Sequence, residues 1–219
     1  MRNVRSSSKS SRRVLGVSAA AVLALTLAAC SSNDTSSNDK PKPVAQIQQL
    51  SGNDTSVALD AGFVKALTSL KLTPGVVGDA TLANGAVSFP ITGGNVTYYK
   101  PGSVSPYVTG LINHDGSGLS LSAGSTTVDL TNFEINPGNS RVYGDVSVNG
   151  KSAAKHATIF NLDGRTLQPL QTQGSEAVLQ GTKVMISGDA AALLDQTFKT
   201  DAVKQGLLVG TATITVNTK

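Results

Sequence analysis

The feature that most constrains this chain is an alternation of apolar with polar or small residues along residues 86–216. Val87 and Phe89 alternate with such neighbours, and Leu119 and Leu121 do the same before the long alternating segment 210–216. A period of two places successive side chains on opposite faces of a β-strand. Because Gly- and Asn-containing turns separate the segments at intervals of about ten residues, the pattern predicts a mainly β domain, an antiparallel β-sandwich or a barrel-like sheet.

Two local patterns sharpen this prediction. Val128 and Leu130 share one face, but Phe133 and Ile135 resume the alternation after one extra residue, as a β-bulge requires. Asn149-Gly150 is typical of a two-residue hairpin turn, because both residues tolerate positive φ.

Further strands are expected at residues 96–99, 142–148 and 156–162 and around Val184 and Ile186. We expect turns at residues 93–95 and at the polar segment 113–118, which contains His114.

Two short helices complete the expected fold. The first has an apolar face formed by Leu59, Phe63, Leu67 and Leu70. Ser56 or Asp54 would cap its start, and Pro74-Gly75 would end it. The second helix is expected at residues 190–198, with Asp189 as N-cap and a buried face formed by Leu193, Leu194 and Phe198.

The first 29 residues have the organisation of a signal peptide. Residues 1–13 contain five basic and no acidic residues, and the apolar run 14–29 is shorter than the roughly 20 residues of a membrane-spanning helix. The run ends in Leu27-Ala28-Ala29-Cys30, which resembles the lipobox of bacterial lipoproteins. The resemblance implies cleavage before Cys30, a diacylglycerol on its thiol with fatty-acyl chains such as palmitate, and anchoring at the extracytoplasmic face of the cell membrane.

Some aspects of export and anchoring stay open. Ser11-Arg12-Arg13-Val14-Leu15 resembles a twin-arginine export signal, and an ordinary basic region for the general route is the alternative. Ser31 fits the outer membrane of a two-membrane bacterium, and in a one-membrane bacterium the anchor would be in the plasma membrane. Residues 30–46, rich in Ser, Asn, Asp and Pro, predict a flexible tether, and residues 47–219 a single extracytoplasmic domain.

Charge and cysteine content exclude several classes of protein. After Cys30 the chain carries 13 basic and 14 acidic residues, so we expect no nucleic-acid partner. With one Cys, the chain has no internal disulfide and no cysteine-based zinc site.

Sequence motifs indicate no catalytic and no metal site. The mature part has no G-x-S-x-G motif, and neither H-x-x-x-H nor C-x-x-C occurs. His114 and Asp115 are adjacent, so on a strand their side chains face opposite ways. A hydrolase acting on envelope polymers is kept as an alternative, and it would need a cleft with clustered carboxylates. The acids available for it are Asp115, Asp129, Glu134 and Asp145.

Three segments in the middle of the domain resemble those of a known family: residues 110–119, which include His114, residues 128–133, and the strand 142–148. They are similar to the HtaA-like domain of bacterial surface haem-uptake proteins, and residues 187–194 resemble the family's late helix. The resemblance implies a β-rich fold and a haem ligand, with haem iron held by an early tyrosine and with a histidine nearby, at the position of His114. The matching early stretch, residues 61–67, contains neither Tyr nor Trp. The tyrosines available instead are Tyr98, Tyr99 and Tyr107.

Three functions follow from these observations. The main expectation is a lipid-anchored β-sandwich that binds a small ligand or an envelope component, or acts as a scaffold, with no cofactor. The second is a carrier of haem or another small ligand, with His114, Tyr99 and Tyr107 as the ligand-binding residues. The third is the envelope-polymer hydrolase.

Overall fold

A computed structural model of the chain describes residues 40–218, and within this range thirteen strands form one antiparallel sheet. In chain order the strands are β1 (Ala45–Ile47), β2 (Asp54–Leu59), β3 (Thr73–Gly78), β4 (Thr81–Ala83), β5 (Ala86–Pro90), β6 (Gly93–Tyr98), β7 (Val108–Ala123), β8 (Thr126–Asn136), β9 (Arg141–Val148), β10 (Lys151–Asp163), β11 (Gln171–Gln173), β12 (Glu176–Ile186) and β13 (Leu208–Asn217). The two helices are α1 (Ala61–Ser69) and α2 (Gly188–Phe198). The prediction of a mainly β, barrel-like antiparallel sheet with two short helices is therefore confirmed.

The sheet runs in the order β1-β6-β7-β8-β9-β10-β12-β13-β2-β5-β4 and is curled into a half-barrel. Strand β7, of 16 residues, is its longest strand. One edge of β7 pairs with β8, while the other edge pairs first with β6, up to Asn113, and then with β3, from Ser117 onward. The segment 113–118, expected as a turn, is instead the irregular middle of this strand, at the point where its partner changes.

Irregularities of register occur on four neighbouring strands at matching places. The β7–β8 ladder shifts between His114 and Gly118, the β8–β9 ladder between Thr131 and Glu134, and the β9–β10 ladder near Ala154–Ala157. The second shift confirms the bulge expected before Phe133. A bulge bends its strand and increases the local twist, so a row of bulges across adjacent strands curls the sheet. We call this feature the bulge row.

Side chains connect the strands along the bulge row. Asn132, which has a φ of 54°, accepts a hydrogen bond from the Gly116 amide at 2.9 Å and donates one to Asp145 Oδ2 at 3.1 Å. Asp145 also accepts from the His156 amide at 3.1 Å and from Lys155 Nζ at 2.8 Å. The hydrogen bonds from Lys155 and then Asn132 lower the pKa of Asp145 to about 2. The carboxylate therefore stays ionised and joins β8 to β9 and β10.

The first helix begins later than expected. Asp54 and Ser56, proposed as caps, lie in β2, and Asp60 is the N-cap: its carboxylate accepts from the amides of Gly62 and Phe63. Leu59 is the last residue of β2 and so lies outside the helix, whereas Phe63, Leu67 and Leu70 do pack on the core, as predicted. The helix ends at Ser69, before Pro74-Gly75, which belongs to β3.

The second helix matches its expected range except at the cap. Ser187, not Asp189, is the N-cap, and its hydroxyl accepts from the Ala190 amide at 3.0 Å. Leu194 is buried, and Leu193 and Phe198 pack against the core.

Of the two turns expected at glycine-containing segments, one is a strand and one is a turn. Gly93-Gly94-Asn95, predicted as a turn, begins strand β6 instead. Asn149-Gly150 is the predicted hairpin turn, with φ of 50° and 74°.

In residues 40–218, no helix is both long and apolar enough to cross a membrane. The cleavage region and Cys30 lie outside the described residues, as does most of the expected tether.

Replacing Asp145 by Ala should destabilise the domain by about 1–2 kcal/mol, because the His156 amide and the Asn132 side chain lose their acceptor. Chemical denaturation with urea measures this. In Lys155→Ala only an exposed ion pair is lost, so its effect should stay within about 0.5 kcal/mol. Equal losses in the two variants would show that the carboxylate contributes through the ion pair alone.

Candidate functional site

The curled sheet encloses a cavity of about 740 Å³. Its wall is formed mainly by apolar side chains from β2, β5, β7, β8, β10, β12 and β13, so residues from both halves of the chain contribute. Sites for small molecules have volumes of roughly 300–1,000 Å³ and mainly apolar walls with a few polar groups. This cavity therefore has the size and composition of a small-molecule site.

Aromatic rings form a connected row along the cavity wall. The ring centres of Phe133 and Phe160 are 5.9 Å apart, those of Phe89 and Phe133 5.3 Å, and those of Phe89 and His114 6.2 Å. The last two pairs meet edge to face, a favourable geometry for aromatic pairs. The row provides a broad apolar surface that ends at His114.

His114 lies on β7 and points inward, with 1% of its surface exposed. Its Nδ1 is 3.2 Å from the Phe133 carbonyl oxygen, and its Nε2 is 2.9 Å from Thr55 Oγ1. A carbonyl oxygen only accepts, so Nδ1 carries the proton, and Nε2 accepts from the Thr55 hydroxyl. Both ring nitrogens are therefore engaged by the protein.

Burial determines the charge of His114. Removal from water lowers its pKa to about 4, although the hydrogen bond to Phe133 and the charges of Asp115 and Asp54 act in the opposite direction. The imidazole is consequently neutral at physiological pH.

The bond between His114 and Thr55 connects distant parts of the sheet. Five strands (β8, β9, β10, β12 and β13) separate β7 from β2 in the sheet order. Nearby, the Thr92 amide donates to the Asn113 carbonyl at 2.8 Å, and the Asp115 amide donates to Thr92 Oγ1 at 2.9 Å. These bonds bring the segment that follows β5 against β7.

Six further lining residues that carry a hydroxyl or a charge lie on three loops or strand ends. Ser105 and Tyr107 precede β7, while Ser140 precedes β9 and Arg141 begins it. Asp163 is the last residue of β10, and Arg165 lies in the short 3-10 helix that follows. In the antiparallel sheet the start of β7, the end of β8, the start of β9 and the end of β10 lie on the same side. We call this set of six residues the polar mouth.

The two arginines of the polar mouth differ in their partners. Arg165 is paired with Asp163 through Nε at 2.9 Å and Nη2 at 2.7 Å, and this pairing holds the pKa of the Asp163 carboxyl well below its usual range. Arg141 donates from Nη1 to the Ser140 carbonyl at 3.2 Å and forms no ion pair within residues 40–218.

The candidate tyrosines are placed differently. Tyr107 lines the cavity at the polar mouth, and burial together with Tyr98 raises its pKa, so the phenol is protonated. Its ring meets that of Tyr98 edge to face at 6.0 Å. Tyr99 is half-buried and does not line the cavity, but its amide donates to the Tyr107 carbonyl at 2.8 Å. The structure thus brings His114 and Tyr107, but not Tyr99, to one cavity.

The four acids considered for hydrolysis lie elsewhere. None of Asp115, Asp129, Glu134 and Asp145 lines the cavity. Each has a different polar partner: Thr92, Ser147, His156 and, for Asp145, the bulge row. The described part of the chain contains no cluster of side chains suited to a metal ion.

Sequence reasoning missed Thr55 and Arg141. Thr55 lies in β2, in a segment that was interpreted as the start of a helix. In the structure Thr55 and Val57 share the buried face of this strand, but a threonine in the sequence does not by itself indicate a buried position. Arg141 directly follows the Pro137–Ser140 turn and begins a strand, a position that by itself does not indicate a ligand contact.

The fold is similar to that of proteins of known structure. The C-terminal domain of HtaA from Corynebacterium glutamicum aligns with a TM-score of 0.51 and 18% identity, covering 78% of this chain and 98% of that domain. At this identity the likeness concerns the fold, and it confirms the fold implied by the HtaA-like resemblance.

Two further structures from the same organism are less similar. The haem-binding protein HtaB has a TM-score of 0.49 at 7% identity, covering 79% of this chain and 96% of HtaB. A domain-swapped dimer of a variant of the HtaA domain has a TM-score of 0.46 at 19% identity, covering 73% of this chain and 92% of the domain. No protein-family model and no curated protein matches the chain.

The lowered pKa of His114 predicts a loss of stability in mild acid. The unfolded chain, with a histidine pKa near 6.5, binds the proton more readily than the folded chain, with its pKa near 4. The contribution of neutral His114 to the free energy of unfolding is fully present above about pH 6.5. The free energy of unfolding should fall by about 3 kcal/mol as the pH approaches 4. Urea denaturation at a series of pH values measures this.

The second histidine of the chain provides a matched control. His156→Gln, at an exposed site, should retain the pH dependence of the natural protein, whereas His114→Gln should lose most of it. A natural protein whose stability is constant between pH 7 and pH 4.5 would contradict the buried, neutral state of His114.

Proposed function

We propose that the domain is a non-catalytic binding protein that takes an apolar small ligand into its cavity, with haem as the first candidate. The observation that carries this proposal is the apolar cavity of about 740 Å³, whose wall includes the buried pair of His114 and Thr55 and the residues of the polar mouth. The HtaA-like resemblance supports haem among ligands of this size.

The composition of the cavity wall suits a porphyrin. Phe89, Phe133 and Phe160 provide apolar faces and edges for contact with its ring, and aliphatic residues of β12 and β13 line the same space. Burial of a large apolar ligand against such a wall is favourable, because it removes apolar area from water.

Few residues of the cavity wall are available to coordinate haem iron. Haem binding adds one coordination bond from a His, Cys, Met or Tyr side chain. His114 is engaged at both nitrogens, and residues 61–67 provide no tyrosine. Among the described lining residues this leaves Tyr107 at the polar mouth and Met185 in the wall. The hydroxyl of Tyr107 forms no hydrogen bond within residues 40–218, so we assign it the iron contact.

Titration of haemin into the domain should give a saturable shift of the Soret band at a ratio of one to one. Ala212→Leu adds apolar atoms to the cavity wall and should weaken haemin binding by about tenfold or more, because they overlap with the space for the ligand. Thr211→Leu, at the exposed neighbouring position, is the matched control and should bind as the natural protein does.

In the same titration, Tyr107→Phe should change the position of the Soret band, since it removes the hydroxyl and keeps the ring. Absence of any saturable shift with the natural protein would reject haem. Equal binding by Ala212→Leu and Thr211→Leu would reject the cavity as the binding site.

We also propose that the domain is held at the outer face of a bacterial membrane through Cys30. The support is the signal-like segment 1–29 and the tether-like composition of residues 31–46. Lipid binding at this place would leave the cavity available to ligands outside the cytoplasm.

Mass spectrometry of the protein purified from membranes should detect a mature chain that begins at Cys30 and carries diacylglycerol. Cys30→Ala should leave the chain unlipidated and shift it out of the membrane fraction, while Ser31→Ala should be lipidated as before. Recovery of the complete, unmodified chain from the cell interior would contradict the anchor.

A further inference from the structure

Arg141 is the cation of the polar mouth that has no acidic partner among the described residues. It is the first residue of β9, where it lies opposite Asn136 on β8 and Asn161 on β10, and it is one of the residues that line the cavity. Its one hydrogen bond within residues 40–218 goes to the carbonyl of its neighbour Ser140. Most of the five guanidinium donors are therefore available to a ligand.

Arg165, in the same polar mouth, differs from Arg141 because it has an acidic partner. Three hydrogen bonds connect its guanidinium to the two carboxylate oxygens of Asp163, so that charge is compensated within the protein. Because this pair is neutral overall, the net charge of the polar mouth is that of Arg141. A planar guanidinium binds a carboxylate through two parallel, charge-assisted hydrogen bonds.

The buried pair of His114 and Thr55 cannot donate a hydrogen bond to an anion in the cavity. The Nδ1 proton of His114 is donated to Phe133, its Nε2 carries no proton, and the hydroxyl proton of Thr55 is donated to Nε2. No donor of this pair remains for a carboxylate, and burial keeps the ring uncharged. A buried charge without a partner is costly. Of these two places in the cavity wall, only the polar mouth with Arg141 therefore suits an acidic group.

We propose that Arg141 binds a carboxylate of the ligand, and that the ligand is an amphiphile with its apolar part toward His114 and its acid at the polar mouth. This inference rests on the proposed function and adds the chemical class and the orientation of the ligand. Ser140 lines the same mouth, and its hydroxyl can contribute a further hydrogen bond to the acid.

The test compares two metal-free probes, so that iron coordination does not enter. Protoporphyrin carries two carboxylates, and its dimethyl ester has the same ring without charge. Arg141→Gln should weaken binding of the diacid by about tenfold, the effect of losing a charge-assisted hydrogen-bonded pair, and binding of the diester by less than about twofold. Porphyrin fluorescence measures both affinities.

Arg165→Gln is the matched control on the same mouth. It removes a cation that Asp163 already compensates, so both probes should bind within about twofold of the natural protein. Arg141→Lys keeps the charge without the planar donors and should recover part of the diacid affinity. Thermal unfolding of each variant, compared with the natural protein, establishes that the fold is retained.

The outcomes separate this inference from the proposed function. If the natural protein binds diacid and diester equally, or if Arg141→Gln weakens both by the same factor, Arg141 does not bind the carboxylate and only this inference fails. If the natural protein binds neither porphyrin nor haemin, the proposed function fails. A loss that is confined to the diacid supports the assignment.

Discussion

The rest of the structure depends on the hydrogen bonds that connect the bulge row. A sheet of thirteen strands has a large apolar face, and without a bend its two ends would not approach each other. The bulges on β7, β8 and β10 bend neighbouring strands at the same level, and Asn132 and Asp145 fix them there. Since bulged residues lose ladder hydrogen bonds, these side chains also satisfy amides that would otherwise lack partners.

The same irregularity on β7 positions the inner polar group. At the bulge β7 exchanges β6 for β3, and His114 at this point faces inward while Asp115 is exposed. The curl then brings β2 close enough for Thr55 to reach the imidazole. A buried polar side chain is tolerated when its hydrogen bonds are made, and here both nitrogens have partners. The pair thus joins strands that the sheet order keeps apart.

Much of the fold could be predicted from the sequence, because alternation and turn residues are local signals. The alternation correctly predicted buried strand positions for Val87 and Phe133, and Asn149-Gly150 is the predicted turn. Leu59 was misplaced because apolar residues spaced by three and four can also connect a strand to a helix, and the cap was then sought too early. The polar segment around His114 looked like a turn, because the sequence does not show that β3 pairs with it.

Less of the candidate site than of the fold could be predicted from the sequence. His114 was found through the resemblance, but its partner Thr55 lies 59 residues away, and only the curl brings the two together. Arg141 lies in the polar mouth because strand ends and loops meet at one side of the sheet. The wall of the cavity belongs to the framework, whereas the mouth belongs to connections between strands. Substitutions at the mouth can therefore change which ligand is preferred, while the strands that form the wall keep the same fold.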